Sequence, residues 1–325
     1  MNFIPKVSVV ISTYNRDWCL GATIESVLNQ TYKDFELVIL DDGSTDDSAL
    51  IVEKYKYDQR IRAFLESHQG ASLARNRGIE KTRGQYVAFL DSDDLWLPDK
   101  LERQVEFLDQ HPEIAFVHGS VEMMDTEGRF LPDDTKRIER LYQEAQERGE
   151  DYAGLAEAAL IFSSAVLFRK DCLNRSGYLD PDLYSLQDLD LYLRITVQGG
   201  KIGFLKGFPV TRYCYRGSDG HFNPQNCYSY IKVFQKQIEL LEKTNQVSVH
   251  KKAYRCFLLH TANFYYALNE LEKSRDFSFR AIRFDPRSCF RFSLLRNILL
   301  SFTSVQVVAF LRQLKNLFTL GDHAK

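Results

Sequence analysis

Short β-branched segments alternate with helical segments over the first hundred residues, and this alternation limits the possible folds more than any other feature of the chain. Four strand patterns and three helix patterns follow one another at residues 7–12, 21–30, 35–40, 46–57, 61–65, 71–82 and 86–90. Strands that alternate with helices are joined by right-handed crossovers into a parallel sheet with both faces covered. The sequence therefore predicts an α/β fold with a mostly parallel sheet.

Polar clusters follow three of the four predicted strands. They occupy residues 13–16, 41–46 and 91–94, each directly after a strand. The carboxyl ends of parallel strands meet at one edge of a sheet, and ligands bind in the crevice outside that edge. We therefore expect the three clusters to line a single site.

The last cluster is the most informative, because Asp91, Asp93 and Asp94 place three carboxylates within four residues. One of them can cap a helix that begins near Pro98, but a cap does not explain three together. Like charges this close repel one another unless a cation lies between them. Carboxylates favour hard divalent cations, and Mg²⁺ commonly uses one or two of them together with substrate phosphates. The cluster is therefore predicted to bind a divalent cation such as Mg²⁺ or Mn²⁺.

The other two clusters each allow a structural and a functional interpretation. Asp42 can form part of a turn or contact a ligand, and Tyr14 can cover the core or stack on a planar ring. Arg16 and Arg75 can pair with phosphate. The sequence contains neither G-x-G-x-x-G nor a P-loop, which argues against dinucleotide-binding Rossmann proteins and P-loop NTPases. Phosphates would therefore have to be held by a metal and arginines.

Charge divides the chain into two parts. The net charge of −2 predicts no general attraction to nucleic acid. Residues 1–224 carry 26 basic and 37 acidic side chains, whereas residues 225–325 carry 16 and 7.

The secondary-structure pattern also changes along the chain. Residues 100–160 are predicted to be helical with a charged surface, followed by a strand at 163–169 and a helix at 186–198. All residues beyond about 224 are predicted to be helical. We expect two domains, 1–224 and 225–325.

Five segments together resemble the family 2 glycosyltransferases, at residues 7–16, 41–46, 70–78, 84–94 and 187–194. The resemblance covers about residues 5–220. It implies an inverting glycosyltransferase with the GT-A nucleotide-sugar fold, in which about residues 1–100 bind the donor and 101–224 the acceptor. It also implies a role in surface polysaccharide or glycoconjugate synthesis.

The resemblance assigns roles to the clustered residues. The implied donor-binding residues are Ser12, Thr13, Tyr14, Arg16, Asp42, Arg75, Asp91 and Asp93. Of these, Asp42 would contact the uracil of a UDP-sugar and Arg75 would lie near the diphosphate. The segment 91–93 matches the D-x-D motif, and the resemblance leaves open whether Asp93 or Asp94 binds the metal directly.

By the same resemblance, Asp188 is the general base. The family usually has Glu-Asp here, whereas this sequence has Gln187-Asp188. Alternatively, Asp188 has no catalytic role and lies in the first turn of a helix, where the helix dipole stabilises a negative charge. Asp190 is expected to face solvent or brace the loop. His221 is a candidate metal ligand, with a surface histidine as the equal alternative.

The C-terminal part allows two interpretations. Basic and apolar residues alternate over residues 287–315, which is typical of a helix on an anionic membrane or of one packed on the catalytic domain. The uncharged stretch 297–311 is shorter than the roughly 20 residues that span a bilayer. Scattered cysteines and the lack of a signal peptide predict a cytoplasmic protein, with possible contact at the inner face of the membrane. A carbohydrate or lipid-linked acceptor would then be the partner of the nucleotide-sugar donor.

Two further functions remain open from the residues. A sugar nucleotidyltransferase would need a glycine-rich basic loop after the first strand, which residues 12–16 do not provide. A catalytically inactive scaffold would use the tetratricopeptide-like segment at 261–288 to recruit partners, although one repeat is too few for a stable solenoid.

Overall fold

The computed structural model describes residues 4–125, 127–148, 151–157, 161–214, 224–290 and 292–301. The chain forms two compact units, Met1–Phe222 and Asn223–Lys325. The roles predicted for the two units stay predictions.

The first part of the first unit has the predicted alternation of strands and helices. Its elements are β1 (Val7–Thr13), α1 (Leu20–Leu28), β2 (Phe35–Asp41), α2 (Ser48–Lys54), β3 (Ile61–Leu65), α3 (Ala71–Glu80) and β4 (Tyr86–Asp91). The four strands are parallel and lie in the order β3-β2-β1-β4. The prediction of a mostly parallel α/β sheet is confirmed.

Continuous apolar runs produce these strands. Every residue of β2 is buried, and only Ser12 of β1 is partly exposed. Strands that helices cover on both faces have unbroken runs of Val, Ile and Leu rather than an alternation. On α1, Leu20, Ile24 and Val27 recur at helical spacing and are all buried in the same core.

The remainder of the first unit extends the sheet to eight strands. Its elements are β5 (Leu95–Trp96), α4 (Lys100–Gln110), β6 (Ile114–Met124), α5 (Pro132–Arg148), α6 (Tyr152–Glu157), β7 (Leu167–Arg169), α7 (Lys170–Ser176), α8 (Gln187–Val197) and β8 (Lys201–Cys214). The full order is β3-β2-β1-β4-β7-β6-β8-β5. The strand β7 runs antiparallel to both β4 and β6, whereas β6 and β8 are parallel.

Two predictions in this part need correction. Residues 114–124 were expected to be helical, but they form β6, in which all residues except Glu122 are buried. Because the strand is covered on both faces, its apolar residues do not alternate with polar ones, so the sequence pattern does not identify it as a strand. The expected strand at 163–169 is a strand only over Leu167–Arg169, because Ser163–Ala165 forms a 3₁₀ turn.

The described part of the second unit is helical, as predicted. It contains α9 (Pro224–Lys243), α10 (Lys251–Ala267), α11 (Leu271–Phe284) and α12 (Phe292–Ser301). A turn through Asn269, which has a φ of 64°, joins α10 to α11, and Ser274 Oγ donates a buried hydrogen bond to the carbonyl of Ala262. Among the described residues, no helix is both long and apolar enough to span a membrane. About half of the predicted membrane-surface segment, residues 302–315, lies outside the described residues.

Candidate active site

A cavity of about 550 Å³ lies at the carboxyl ends of β1, β2 and β4. Its lining residues are Ser12, Thr13, Tyr14, Arg16, Asp42, His68, Ala71, Ala74, Arg75, Asp91, Ser92, Asp93 and Asp94. The structure therefore brings together all eight of the predicted donor-binding residues and both aspartates of the predicted metal site. The cavity is the single crevice that the three polar clusters were expected to line.

Asp42 connects the end of β2 to the loop that follows β3. Asp42 is 3% exposed, and its carboxylate accepts hydrogen bonds from the backbone N–H groups of Gln69, at 2.9 Å, and Gly70, at 2.8 Å. His68 Nδ1 lies 2.9 Å from Asp42 Oδ2. Gly43 permits this approach, since its φ is +76° and an added Cβ would lie 2.8 Å from His68 N. Asp42 thus shapes the cavity wall as well as lining it.

Two stacked rings form one side of the cavity. The ring centroids of Tyr14 and His68 are 4.0 Å apart, with an interplanar angle of 24°. Both residues are exposed, so a planar group can reach them. His68 was not among the residues predicted from the sequence. It follows β3, so the rule that ligands bind beyond the ends of parallel strands would have identified it.

Both predicted phosphate-binding arginines are paired with aspartates. Arg75 Nη2 lies 2.5 Å from Asp91 Oδ1, and Arg16 Nε lies 3.7 Å from Asp93 Oδ2. Ser163 Oγ donates to the second oxygen of Asp91, at 3.2 Å. These contacts hold the Arg75 guanidinium in a fixed position, from which its other N–H groups can bind an anion.

Ser164 holds two of the aspartates in place. Its hydroxyl donates to Asp94 Oδ2 and accepts the backbone N–H of Asp91, at 3.1 Å. Trp96 Nε1 donates to the carbonyl of Ser164, at 2.8 Å. Sequence reasoning missed Ser164, because it reaches the site only through the antiparallel pairing of β7 with β4. No local pattern in the sequence indicates that pairing.

Asp93 and Asp94 are arranged in a way that suits a metal ion which also binds a substrate. Asp94 is 2% exposed, whereas the side chain of Asp93 is 27% exposed beside it. Among the described residues, no group of three His, Cys, Asp or Glu side chains is arranged to hold a metal ion. A Mg²⁺ or Mn²⁺ ion bound by one or two carboxylates and completed by phosphate oxygens agrees with this arrangement. The third predicted ligand, His221, lies outside the described residues.

Asp188 lies in the first turn of α8, within electrostatic reach of the cavity. Burial raises the pKa of its carboxyl group, and the neighbouring Asp91 raises it further, while the Leu189 N–H and Arg75 act in the opposite direction. Leu186, the N-cap residue of α8, has a φ of 66°, a conformation that is strained for a bulky side chain. Asp188 is thus a half-buried carboxylate with increased basicity close to the Arg75–Asp91 pair.

Asp190, on the same helix, has a different role. It is fully buried and accepts a hydrogen bond from Arg194 Nε, at 2.8 Å. The Arg194 guanidinium in turn donates to the carbonyls of Ser176, Gly177 and Tyr178. The prediction that Asp190 braces the loop is confirmed, and the alternative that it faces solvent is wrong.

Comparison with known proteins identifies relatives over most of the chain. An uncharacterised glycosyltransferase of Nostoc sp. (strain PCC 7120) is 30% identical over 248 residues, which is 74% of each chain. The Escherichia coli protein WfaP, named UDP-Glc:alpha-D-GlcNAc-diphosphoundecaprenol beta-1,3-glucosyltransferase, is 44% identical over 104 residues, 32% of this chain and 41% of WfaP. With three rickettsial glycosyltransferases the match covers only 18% to 21% of the relative's length.

A solved structure shares the fold. The crystal structure of Staphylococcus aureus TarS 1–349 superposes with a TM-score of 0.62 over 91% of this chain and 90% of that one, at 18% identity. TarS 1–349 has also been solved in complex with UDP-GlcNAc. The sequence model described as "Glycosyl transferase family 2" matches residues 8–172, about half of the chain. With its mostly parallel sheet and the cavity at the strand ends, the chain belongs to glycosyl transferase family 2.

Proposed function

We propose that this protein transfers a sugar from a UDP-sugar to an acceptor hydroxyl, with inversion at the anomeric carbon. The observation that carries the proposal is the convergence of Asp42, Arg75 and the 91–94 aspartates in one cavity, with Asp188 close to the Arg75–Asp91 pair. The residues that line the cavity are suited to binding a nucleoside diphosphate, and Asp188 is suited to removing a proton. A group-transfer reaction uses both.

The donor would lie with its base near the Tyr14 and His68 rings and its diphosphate near Arg75. Aromatic faces bind planar bases, and a guanidinium binds phosphate oxygens in pairs. Asp93 or Asp94 would hold a Mg²⁺ or Mn²⁺ ion, which would offset the negative charge that develops on the leaving diphosphate. The uridine preference rests on WfaP, whose name specifies UDP-glucose.

The transfer itself requires one base and one displacement. The acceptor oxygen forms a bond to the anomeric carbon while the bond from that carbon to the β-phosphate oxygen breaks, and the electron pair leaves with UDP. Asp188 takes the proton of the acceptor hydroxyl. Its raised pKa makes it a stronger base than an ordinary aspartate. Attack opposite the leaving group inverts the configuration, so an α-linked donor gives a β-linked product.

The acceptor is proposed to be a lipid-linked or polysaccharide intermediate of surface glycan synthesis. WfaP is named for a diphosphoundecaprenol-linked acceptor, which motivates this choice. We assign acceptor binding to the later part of the first unit, which contains Asp188, and donor binding to about residues 1–100.

Calorimetric titration of UDP into the full chain, with and without Mn²⁺, tests the donor site. We expect binding that requires Mn²⁺ and that is weakened about tenfold or more by Asp93→Asn, since one charge-assisted contact contributes about 1.5–3 kcal/mol. The matched control is Asp171→Asn, which removes an exposed carboxylate on α7 outside the cavity and should leave the affinity unchanged. Absence of Mn²⁺-dependent UDP binding in the unmodified protein would contradict the proposed donor.

A further inference from the structure

The helical unit contains a second cavity, of about 430 Å³. Its lining residues are Lys251, Lys252, Arg255, Phe284, Asp285 and Arg287. They come from the start of α10, the end of α11 and the turn that follows α11. The volume lies within the range of about 300–1,000 Å³ that is usual for small-molecule sites.

Positive charge dominates this cavity. Four cationic side chains and one carboxylate line it, so its net charge is +3. The whole segment 225–325 is basic as well, with 16 basic and 7 acidic side chains. A concave surface lined by charges of one sign concentrates ligands of the opposite sign. The cavity therefore favours an anion.

The single carboxylate positions two of the cations. Asp285 Oδ2 accepts a hydrogen bond from Arg255 Nη1, at 2.9 Å, and Asp285 Oδ1 accepts one from Arg287 Nε, at 3.1 Å. These two guanidinium groups lower the pKa of Asp285 to about 2, so it remains ionised at any physiological pH. Since each guanidinium has five N–H donors, both keep donors for a ligand.

Arg255 is only partly used by its aspartate partner. Its side chain is 27% exposed, and Nη1 is the atom that donates to Asp285. The remaining N–H groups that line the cavity are therefore available to an anion.

An aromatic ring forms the apolar wall of the cavity. Phe284 lines it, and the ring of Tyr254 packs edge-on against Phe284 with centroids 4.8 Å apart. Cationic groups beside a fixed apolar wall suit a ligand in which an anionic group is attached to a larger body.

We propose that this cavity is a second binding site, separate from the donor cavity, and that it takes the phosphate group of a phosphorylated ligand without a metal. The planar fork of arginine matches pairs of phosphate oxygens, and Lys251 and Lys252 add charge at the cavity wall. The phosphate can belong to a soluble compound or to a membrane lipid headgroup.

The test uses the full chain in EDTA, with pyrophosphate as the soluble probe and vesicles of phosphatidylglycerol or phosphatidylcholine as the lipid probes. EDTA removes divalent metal from the donor cavity. The variant is Lys251→Gln/Arg287→Gln, which removes two exposed cations and leaves the Arg255–Asp285 pair intact. The control is Lys243→Gln/Lys273→Gln, which removes the same charge from exposed positions outside the cavity.

We expect the cavity variant to lose about tenfold or more of the affinity for pyrophosphate, as for the loss of one or two charge-assisted contacts, while the control changes less than about twofold. Co-sedimentation with phosphatidylglycerol vesicles that is lost in the cavity variant identifies a lipid source. Pyrophosphate binding without vesicle binding identifies a soluble one. Equal losses in the cavity and control variants, or no binding of either probe by the unmodified protein, would overturn the proposal.

Discussion

The two cavities of this protein carry opposite charge. In the cavity at the sheet edge, Arg16 and Arg75 face four carboxylates, which gives a net charge of −2. In the cavity of the helical unit, four cations face one carboxylate, which gives +3. The two ligands that we propose, a nucleoside diphosphate and a phosphorylated compound, are both anions, so the two sites would bind similar charge by different means.

The difference in net charge determines how each cavity could bind an anion. Because the lining of the sheet-edge cavity would by itself repel an anion, the proposed UDP-sugar is expected to bind there together with a divalent cation. The basic cavity needs no such ion. Its lining can bind an anion but offers no unpaired carboxylate to accept a proton, so we confine the chemistry to the first unit.

Asp188→Asn is expected to have the largest effect. An amide cannot take the acceptor proton, and general base catalysis typically contributes about 10²–10⁴-fold, so kcat should fall by that factor while UDP affinity and pyrophosphate binding stay unchanged. The folded-state pKa of Asp188 is raised, which means that its ionised form destabilises the fold at pH values above that pKa. The melting temperature should therefore stay the same or rise. Sugar-transfer kinetics and thermal unfolding at pH 7.5 measure both quantities.

Asp190→Asn is the matched control on the same helix. It removes the charge that pairs with Arg194 in a buried position, so it should lower the melting temperature. The fraction that remains folded should retain its turnover. If Asp188→Asn unfolded the protein while Asp190→Asn abolished turnover, the assigned roles would be reversed.

Removal of the divalent metal should affect one cavity and spare the other. In EDTA we expect UDP affinity to fall about tenfold or more, since the ion and its phosphate contacts are lost. Pyrophosphate affinity at the basic cavity should change less than about twofold. Calorimetry with each probe, before and after addition of Mn²⁺, gives both values. If pyrophosphate binding required Lys251 and Arg287 and also depended on the metal, the two sites would not differ in their metal dependence.

The sequence was sufficient for the parts of the site that follow parallel strands. Segments such as 35–40 are unbroken apolar runs, so both the strand and the polar residues at its end can be identified locally. Asp42, Arg75 and Asp93 were found in this way or by resemblance, and they line one cavity.

Other parts depend on pairings that no local pattern encodes. The strand β6 is buried on both faces and was therefore mistaken for part of a helical region. Ser164 contacts the aspartates only because β7 returns antiparallel beside β4, more than 70 residues later in the chain. The cavity of the helical unit combines the start of α10 with the turn after α11, which are brought together by helix packing.

Ser164→Ala should have the smallest of these effects, and it tests how each cavity holds its charges. A neutral hydroxyl fixes the aspartates of the sheet-edge cavity, whereas a carboxylate fixes the arginines of the basic one. Loss of the hydroxyl leaves buried Asp94 without this donor and the Asp91 N–H without its acceptor. Unsatisfied buried groups cost about 1–3 kcal/mol, which urea unfolding would detect, and Mn²⁺-dependent UDP binding should weaken several-fold.

Ser163→Ala is the control, since it removes a neighbouring hydroxyl that makes a 3.2 Å contact with Asp91, a carboxylate that Arg75 also binds. Its cost should be about 1 kcal/mol or less, with little change in UDP binding. If both serine variants weakened UDP binding equally, the aspartates would be held by the fold as a whole rather than by the Ser164 hydroxyl. The acidic cavity would then resemble the basic one, where the Arg255–Asp285 contact is made between residues that helix packing already brings together.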